Sequence, residues 1–432
     1  MSSILTNNGA FAALRALRTV GADLDKTMQQ VGTGKRVSTA ATNASVWAVS
    51  KKMESDVKGF RQIADGLNLA QATLSVARQG AESLTDLLTE LKGKIVVAQQ
   101  DNIDRVKVQA DVDALRDQII AVVDATTFNG QNLIKHDSTE AGYGHVEILA
   151  SISRTQQGVS TSDISLKRQD LRAQTAFVAS AGGTYTATAD QLTLNATQSA
   201  TMDVSGLSVE TGTAFGLSVF GTDANASGFD QAEYRTTAAG AQTQSEMAGG
   251  TLAYVAREGD TMADVVTGLG RRWEAYANAN GLASDVLALS FAGTDITARS
   301  NVSSASDTLQ VSISRLDADA GNRTGGELGD LQGLNVTTEA GADDALGRVD
   351  VMIEAAVDAA AEIGSVQGRL TTQANFTTKL VDSFTVGIGS LVDADLVETS
   401  ARQQALQVQQ QLAFQSLSIA NQSPQALMSL FR

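Results

Sequence analysis

The chain has no cysteine, one proline (Pro424), two histidines (His136 and His145) and 4% aromatic residues in 432 positions. Without cysteine there is no disulfide and no thiolate metal ligand. The near absence of proline permits very long helices, since an interior proline removes a backbone hydrogen bond and costs roughly 3 kcal/mol. Few aromatics argue for seams of Leu, Val, Ile and Ala rather than one thick globular core. Positive charge is also scarce. A formal net charge of -16 leaves no concentrated basic surface for nucleic acid or for an anionic membrane, so neither is expected as a partner. No apolar run reaches the roughly 18 residues of a bilayer span. The N-terminus is interrupted by Arg15, Arg18 and Asp23 and does not read as a cleavable secretory signal. Composition alone places the chain in the cytoplasm.

What is present is periodicity. Val46, Val49, Met53, Asp56, Phe60, Ile63, Leu67, Ala70, Leu74, Ala77, Ala81, Leu84, Leu88, Leu91, Ile95 and Ala98 follow an alternating three-four spacing, with only Asp56 out of class. Such a repeat keeps one stripe of a long helix facing a partner. The partner comes much later: Leu346, Val349, Ile353, Ala356, Ala360, Ile363, Gln367, Leu370, Ala374, Thr377, Val381, Phe384 and Ile388 keep the same alternation. The first and last thirds therefore read as one antiparallel bundle interrupted by everything between them. A shorter amphipathic helix over residues 4–32 carries Ala10, Leu14, Leu17, Gly21, Leu24, Met28 and Val31 on one face. A third, over 103–125, carries Val108, Val112, Leu115, Ile119 and Val122, and Phe128-Asn129-Gly130 marks a turn after it.

Between Asn129 and Gly341 the composition shifts to Thr, Ser, Gly, Ala and Asp. The stretches HVEILASIS, TYTATADQLTLNA, GLSVFG, VLALSFAG and DTLQVSISRL predict short strands, with Met262–Ala277 the one helix among them. Glu140 to Glu339 holds 23 acidic and 11 basic residues, so most of the negative charge sits here, as on a solvated face that must not adhere to its own copies. The final helix, Asp395 to Ser423, has the weakest seam. Leu396, Thr399, Gln403, Leu406, Gln410, Ala413, Leu417 and Ala420 keep the spacing, but many are polar. Isolated helices of this kind are marginal in water, so both chain ends are expected to order only against neighbours.

Signals for chemistry are weak. Gly32-Thr33-Gly34-Lys35-Arg36 has Arg where a phosphate-binding loop needs Ser or Thr and lacks its first glycine. Neither histidine stands in an H-E-x-x-H pair, so no metal site is expected. Asp393, Asp395 and Glu398 fit a helix N-terminus, where carboxylates cap free N–H groups, better than a metal cluster. No nucleophile, base and acid assemble into a catalytic set, so neither enzyme activity nor a cofactor is expected. The Asn-x-Ser/Thr triplets at Asn195, Asn225 and Asn301 are common by chance in a chain this rich in Ser and Thr.

The C-terminal segment resembles the end of bacterial flagellin: an acidic start (Asp393, Asp395, Glu398), a Gln-rich helix (Gln410, Gln411), Ala420-Asn421-x-x-Pro424-Gln425, and a closing Leu427, Leu430 and Arg432. GTGKRVSTAATNAS, GLNLAQATLSVARQGAESLTDLL and TTFNGQNLI in the N-terminal third are similar to the same family, although Thr42-Asn43-Ala44-Ser45 replaces its usual Asp-Asp-Ala-Ala. The resemblance implies a mainly α core of paired N- and C-terminal coiled-coil helices with a β-rich central outer insert, an α+β multi-domain chain. Residues 1–42 with 390–432 would form inner-core helices, 43–137 with 342–389 the outer core, and 138–341 a variable exposed region of one or two subdomains. The implied function is that of a structural subunit which self-assembles into a hollow helical filament for swimming.

Leu14, Leu17, Leu24, Met28, Val31, Leu396, Leu406, Ala413, Leu417 and Leu427 are the expected polymerisation contacts. Implied partners are further copies of the chain, the flagellar cap, an export chaperone and hook–filament junction proteins, with O-linked glycan on surface Ser or Thr. Relatives leave the cell uncleaved through the flagellum-specific export channel, which places the chain in the extracellular flagellum despite its composition. The alternatives are a flagellin-like hook–filament junction protein, or a filament subunit whose central module is adhesive or enzymatic. An animal innate immune receptor reads many flagellins at an Arg-x-Arg-Glu-Leu patch. The equivalents here are Lys92, Lys94 and Val96, with Ile95 in place of the acid and Asp111 on the next helix.

Overall fold

The computed structural model describes residues 7–155, 158–225, 229–250, 252–282, 284–319 and 321–429, with side chains at 154–155 and 423–429 excluded. Five long helices form where the seams predict them. Helix α1 (Asn8–Thr33) starts at Asn7, whose side-chain oxygen accepts the Ala10 N–H at 3.0 Å, and stops at Gly34, whose φ of 69° is open to glycine. Helix α2 (Ala44–Ala98) starts at Asn43, whose Oδ1 accepts the Val46 N–H at 3.2 Å. Helix α3 (Arg105–Ala125) is capped by Asp104. Helices α6 (Glu339–Val392) and α7 (Leu396–Ser429) close the chain, with Asp395 Oδ1 accepting the N–H groups of Val397 and Glu398. The acidic residues around 395 thus cap a helix.

Between α3 and α6 lie strands β1 (His145–Thr155), β2 (Gly158–Lys167), β3 (Tyr185–Leu194), β4 (Ser199–Asp203) and β5 (Ala214–Thr222), then α4 (Gln244–Gly249), β6 (Ala253–Val255), α5 (Met262–Ala279), β7 (Leu287–Ala292), β8 (Asp295–Ser300) and β9 (Thr308–Leu316). The five strand-like stretches are all strands. Helix α4 is an addition to the expected single helix. At six residues it is too short to show a period, and a Thr243–Glu246 capping box closes it.

The chain divides into two compact units. The first comprises the chain to Asp65, Ser151–Ser160, and Ala374 onward; the second comprises Gly66–Ala150 and Thr161–Gln373. In the first, α1 lies along α7, and the early part of α2 meets the late part of α6 through Phe60 and Phe384, whose rings are 5.8 Å apart. The predicted stripe rotates here. Val57 is buried in place of the half-buried Asp56, and Val49 stays 51% exposed. The link after α1 is held by backbone bonds from Arg36 and Val37 to Val392 and from Ala394 to Gly34. Gly34-Lys35-Arg36 is therefore a helix exit, not a phosphate loop.

In the second unit the α2 stripe from Leu67 to Ala98 is buried, except for the half-buried Ala70, against α6 and α3. Arg78 meets Gln367 and Gln99 meets Asp343, the antiparallel pairing that the two seams predict. Gly80 faces Thr126 so closely that a Cβ there would sit 2.5 Å from Thr126 Cγ2. On α3 the buried residue after Ile119 is Val123, not Val122, because an unstrained helix steps by four more often than a strict heptad allows. Asn129 and Gly130 both have positive φ, 49° and 77°, and close a two-residue turn bridged by Phe128 and Gln131.

The insert packs α5 against two sheets, ordered β3-β9-β5-β6 and β4-β8-β7, around Phe215, Leu217, Val219, Val265, Leu269, Trp273, Ile296 and Val311. Its two connections run side by side where Phe177 and Arg323 exchange backbone hydrogen bonds of 2.9 and 2.8 Å. Buried charges fasten this region. Arg257 bonds to Glu327 at 2.7 Å and lies 3.3 Å from Asp170, and Arg271 reaches Glu327 and Asp358. Desolvation pushes the Glu327 carboxyl up, but Arg257 and Arg271 outweigh it and hold it at about 2.

Candidate self-association surface

Helix α7 is two-faced. Thr399, Gln403, Leu406, Gln410, Ala413, Leu417 and Ala420 turn toward α1, with Leu406 at 7% and Thr399 at 8% exposure. On α1 the matching inward positions are Ala10, Ala13, Leu17, Val20, Leu24, Thr27 and Val31. The α7 positions are those of the seam expected from the sequence, whereas on α1 the inward face has Ala13, Val20 and Thr27 where Leu14, Gly21 and Met28 were expected, and much of the apolar surface of both faces is covered within the single chain.

One bond fixes the register of this pair. Pro424 lacks the N–H that would reach back to the Ala420 carbonyl, and Asn7 Nδ2 donates to that oxygen at 2.7 Å. Asn7 thus caps α1 with its oxygen and serves α7 with its nitrogen. The backbone of α7 accordingly continues past Pro424 to Ser429, beyond the expected stop at Ser423.

The opposite face of α7 carries Val397, Val408, Leu412 and Ile419, exposed at 82%, 56%, 54% and 69%. At about 100° per residue these four fall within one sector, roughly opposite Leu406 and Leu417. Phe414 and Leu396 are exposed on the same helix, beside the face turned to α1, and Phe11, Leu14 and Met28 are exposed on α1. Of the ten expected contact residues, Leu14, Met28 and Leu396 are exposed. Leu24 and Leu406 are buried inside the chain, Leu17, Val31, Ala413 and Leu417 are intermediate, and the Leu427 side chain lies outside the described residues. The outer stripe was missed because the α7 seam was followed in one register only. Val397, Ala401, Ala405, Val408 and Leu412, at four-four-three-four spacing, would have revealed it.

The receptor-patch equivalents lie in the second unit. Lys94 Nζ is 2.8 Å from Asp111, whose hydrogen bond raises the Lys94 pKa, and Lys92 Nζ is 2.6 Å from Asp350. Val96 is 43% exposed, whereas Ile95 is fully buried in the α2 seam and presents nothing to a partner.

Two long helices from opposite ends of the chain, laid along each other and separated in sequence by a β-rich body, define a class of chain built around its termini. The description "Bacterial flagellin N-terminal helical region" matches residues 4–139, and "Bacterial flagellin C-terminal helical region" matches 346–431. Flagellin B of Rhizobium meliloti is 32% identical over the full length of both chains, and flagellin FljO of Caulobacter vibrioides is 24% identical over all of this chain and 99% of its own. A crystal structure of flagellar hook associated protein-3 from Legionella pneumophila covers 79% of this chain and 98% of its own at 10% identity, with a TM-score of 0.34, too low to weigh on function. The chain belongs to the bacterial flagellin family, whose members are structural subunits of the extracellular flagellar filament.

Proposed function

We propose that neighbouring copies of this chain cover the outer stripe of α7, and that this contact builds the inner wall of a hollow helical filament. The observation that supports the reading is the second apolar stripe itself. A helix already packed on α1 by one face gains nothing in the monomer from Val397, Val408, Leu412 and Ile419 on the other. Leu14, Met28 and Leu396 join that contact, while Leu24 and Leu406 pair α1 with α7 inside each subunit. The chain leaves the cell uncleaved through the flagellar export channel with the help of a chaperone, and adds beneath the cap onto hook–filament junction proteins. It acts without catalysis, with no nucleic acid or membrane as partner, and its insert is the place for any O-linked glycan. The receptor patch, with both lysines already paired, engages the innate receptor poorly.

The test replaces Leu412 and Ile419 by Asp. A charge on a face that must be buried between copies has no partner to offset its desolvation. The monomer should keep its circular dichroism and add no length to filament seeds under the electron microscope. Normal filaments from this variant would remove the outer stripe from the subunit contact.

A further inference from the structure

Strands β5 and β9 are neighbours in register, with Thr222 opposite Thr308, so the loop leaving β5 meets the loop entering β9. The first loop begins Asp223-Ala224-Asn225, an acid and an amide two residues apart. Calcium loops use this spacing to wrap side-chain oxygens around an ion. By itself it also describes an ordinary Asx turn, and Asp223 Oδ1 does accept the Asn225 N–H at 3.1 Å.

The second loop supplies what a turn does not need. Asp307 is fully buried, and its Oδ1 accepts the Ala224 N–H at 3.1 Å, which holds the carboxylate against the first loop. Its Oδ2 is shielded from solvent and has no hydrogen-bond partner among the described residues, nor does Asp307 pair with a basic side chain there. A carboxylate oxygen kept from water without a donor or cation is costly. The same two loops carry further side-chain oxygens: Ser304 Oγ, bonded to Asn225 Nδ2 at 3.0 Å and to Ser306 Oγ at 2.8 Å, and Asp223 Oδ2, which accepts the Phe229 N–H at 3.3 Å.

We propose that Asp223, Asn225, Ser304 and Asp307 form a site for a divalent cation, and that the ion is calcium. Two carboxylates match its charge. The donors are all hard oxygens, and they come from two separate loops, an adaptable set that suits the six to eight ligands of calcium better than the strict octahedron of magnesium. Residues 226–228 lie outside the described residues and form no part of the set. With no His or Cys donor, this place carries no metal motif in the sequence. An ion here would tie the β5 and β9 loops together in the medium around the filament, where calcium sites characteristically have dissociation constants of about 0.1–1 mM.

The experiment is isothermal titration of calcium chloride into chelator-stripped, full-length monomer, beside Asp307→Asn and Asn225→Ala. The expected result is one saturable site per chain, at least about tenfold weaker in both variants, with magnesium binding more weakly than calcium. Circular dichroism in chelator serves as the fold control. Should Asp307→Asn fail to fold, Asn225→Ala, on an exposed loop, decides alone. Absence of a stoichiometric site in the unaltered chain, or unchanged affinity in the variants, would overturn the proposal. Equal affinity for magnesium would overturn the choice of calcium.

Discussion

Gly80 shows how one missing Cβ sets the spacing of two helices. Alanine at this position would favour the helix by about 1 kcal/mol, but its methyl would meet both Thr126 Cγ2 and Thr126 Oγ1 inside 3 Å. Thr126 cannot swing away easily, because it is buried and donates to the Val122 carbonyl. Overpacking of this kind costs roughly 1–3 kcal/mol, so Gly80→Ala should lose stability on balance, by about 1 kcal/mol, in urea denaturation followed at 222 nm. Adding Thr126→Ala should restore most of it. At the same scale, Lys92 and Lys94 offer single ammonium groups where a receptor reading Arg-x-Arg-Glu-Leu expects planar forks, and both are engaged by Asp350 and Asp111. Each lost charge-assisted contact is worth on the order of 1–3 kcal/mol, so purified monomer should stimulate reporter cells weakly or not at all. Potency equal to that of a flagellin with the full motif would contradict this.

At the level of elements, α1 and α7 differ from the other helices in what they bury. Helices α2, α3 and α6 share continuous Leu, Ile and Ala seams, whereas the α1–α7 contact includes Thr27, Thr399, Gln403 and Gln410. Such a contact returns little hydrophobic free energy against the cost of ordering two helices, about 1–2 kcal/mol per residue of backbone. Hydrogen exchange on dilute monomer should therefore find α1 and α7 exchanging freely while α2 from Leu67 to Ala98 is protected, with protection appearing at both ends in the filament. Strong protection of α7 in the monomer would show that the pair is stable without neighbours. The seams of α2, α3 and α6 were legible because each repeats for many turns. The second stripe of α7 was less so, since two apolar faces on one helix blur each other's period.

Across the whole molecule, the close approach of Phe177 and Arg323 makes the body between them removable. Residues 178–322 can be replaced by a short Gly/Ser link, with Glu327→Gln to remove the carboxylate that loses Arg257 and Arg271, because the ends already meet and loop closure depends only weakly on length. A cut at 138–341 would go too far, since Leu166, Leu171, Leu331, Leu334 and Val336 are buried. We expect the shorter deletion to form filaments of smaller diameter by electron microscopy. Folded but non-polymerising subunits would mean that the body contributes contacts between copies.

The helices, the acidic cap before α7 and the antiparallel pairing of α2 with α6 were legible in the sequence, because apolar periodicity and capping residues act within a few turns of the chain. Most of the strands were legible for the same reason. Which stripe of α7 is taken by α1 and which is left over was settled by the packing of the folded chain. That packing also decided that Glu327 would lie between Arg257 and Arg271, that Asn7 would serve the carbonyl freed by Pro424, and that Asp307 would come to rest beside Asp223. Each of these joins residues far apart in the chain, and no local pattern carries the free energy of a contact that exists only after the chain has folded back on itself.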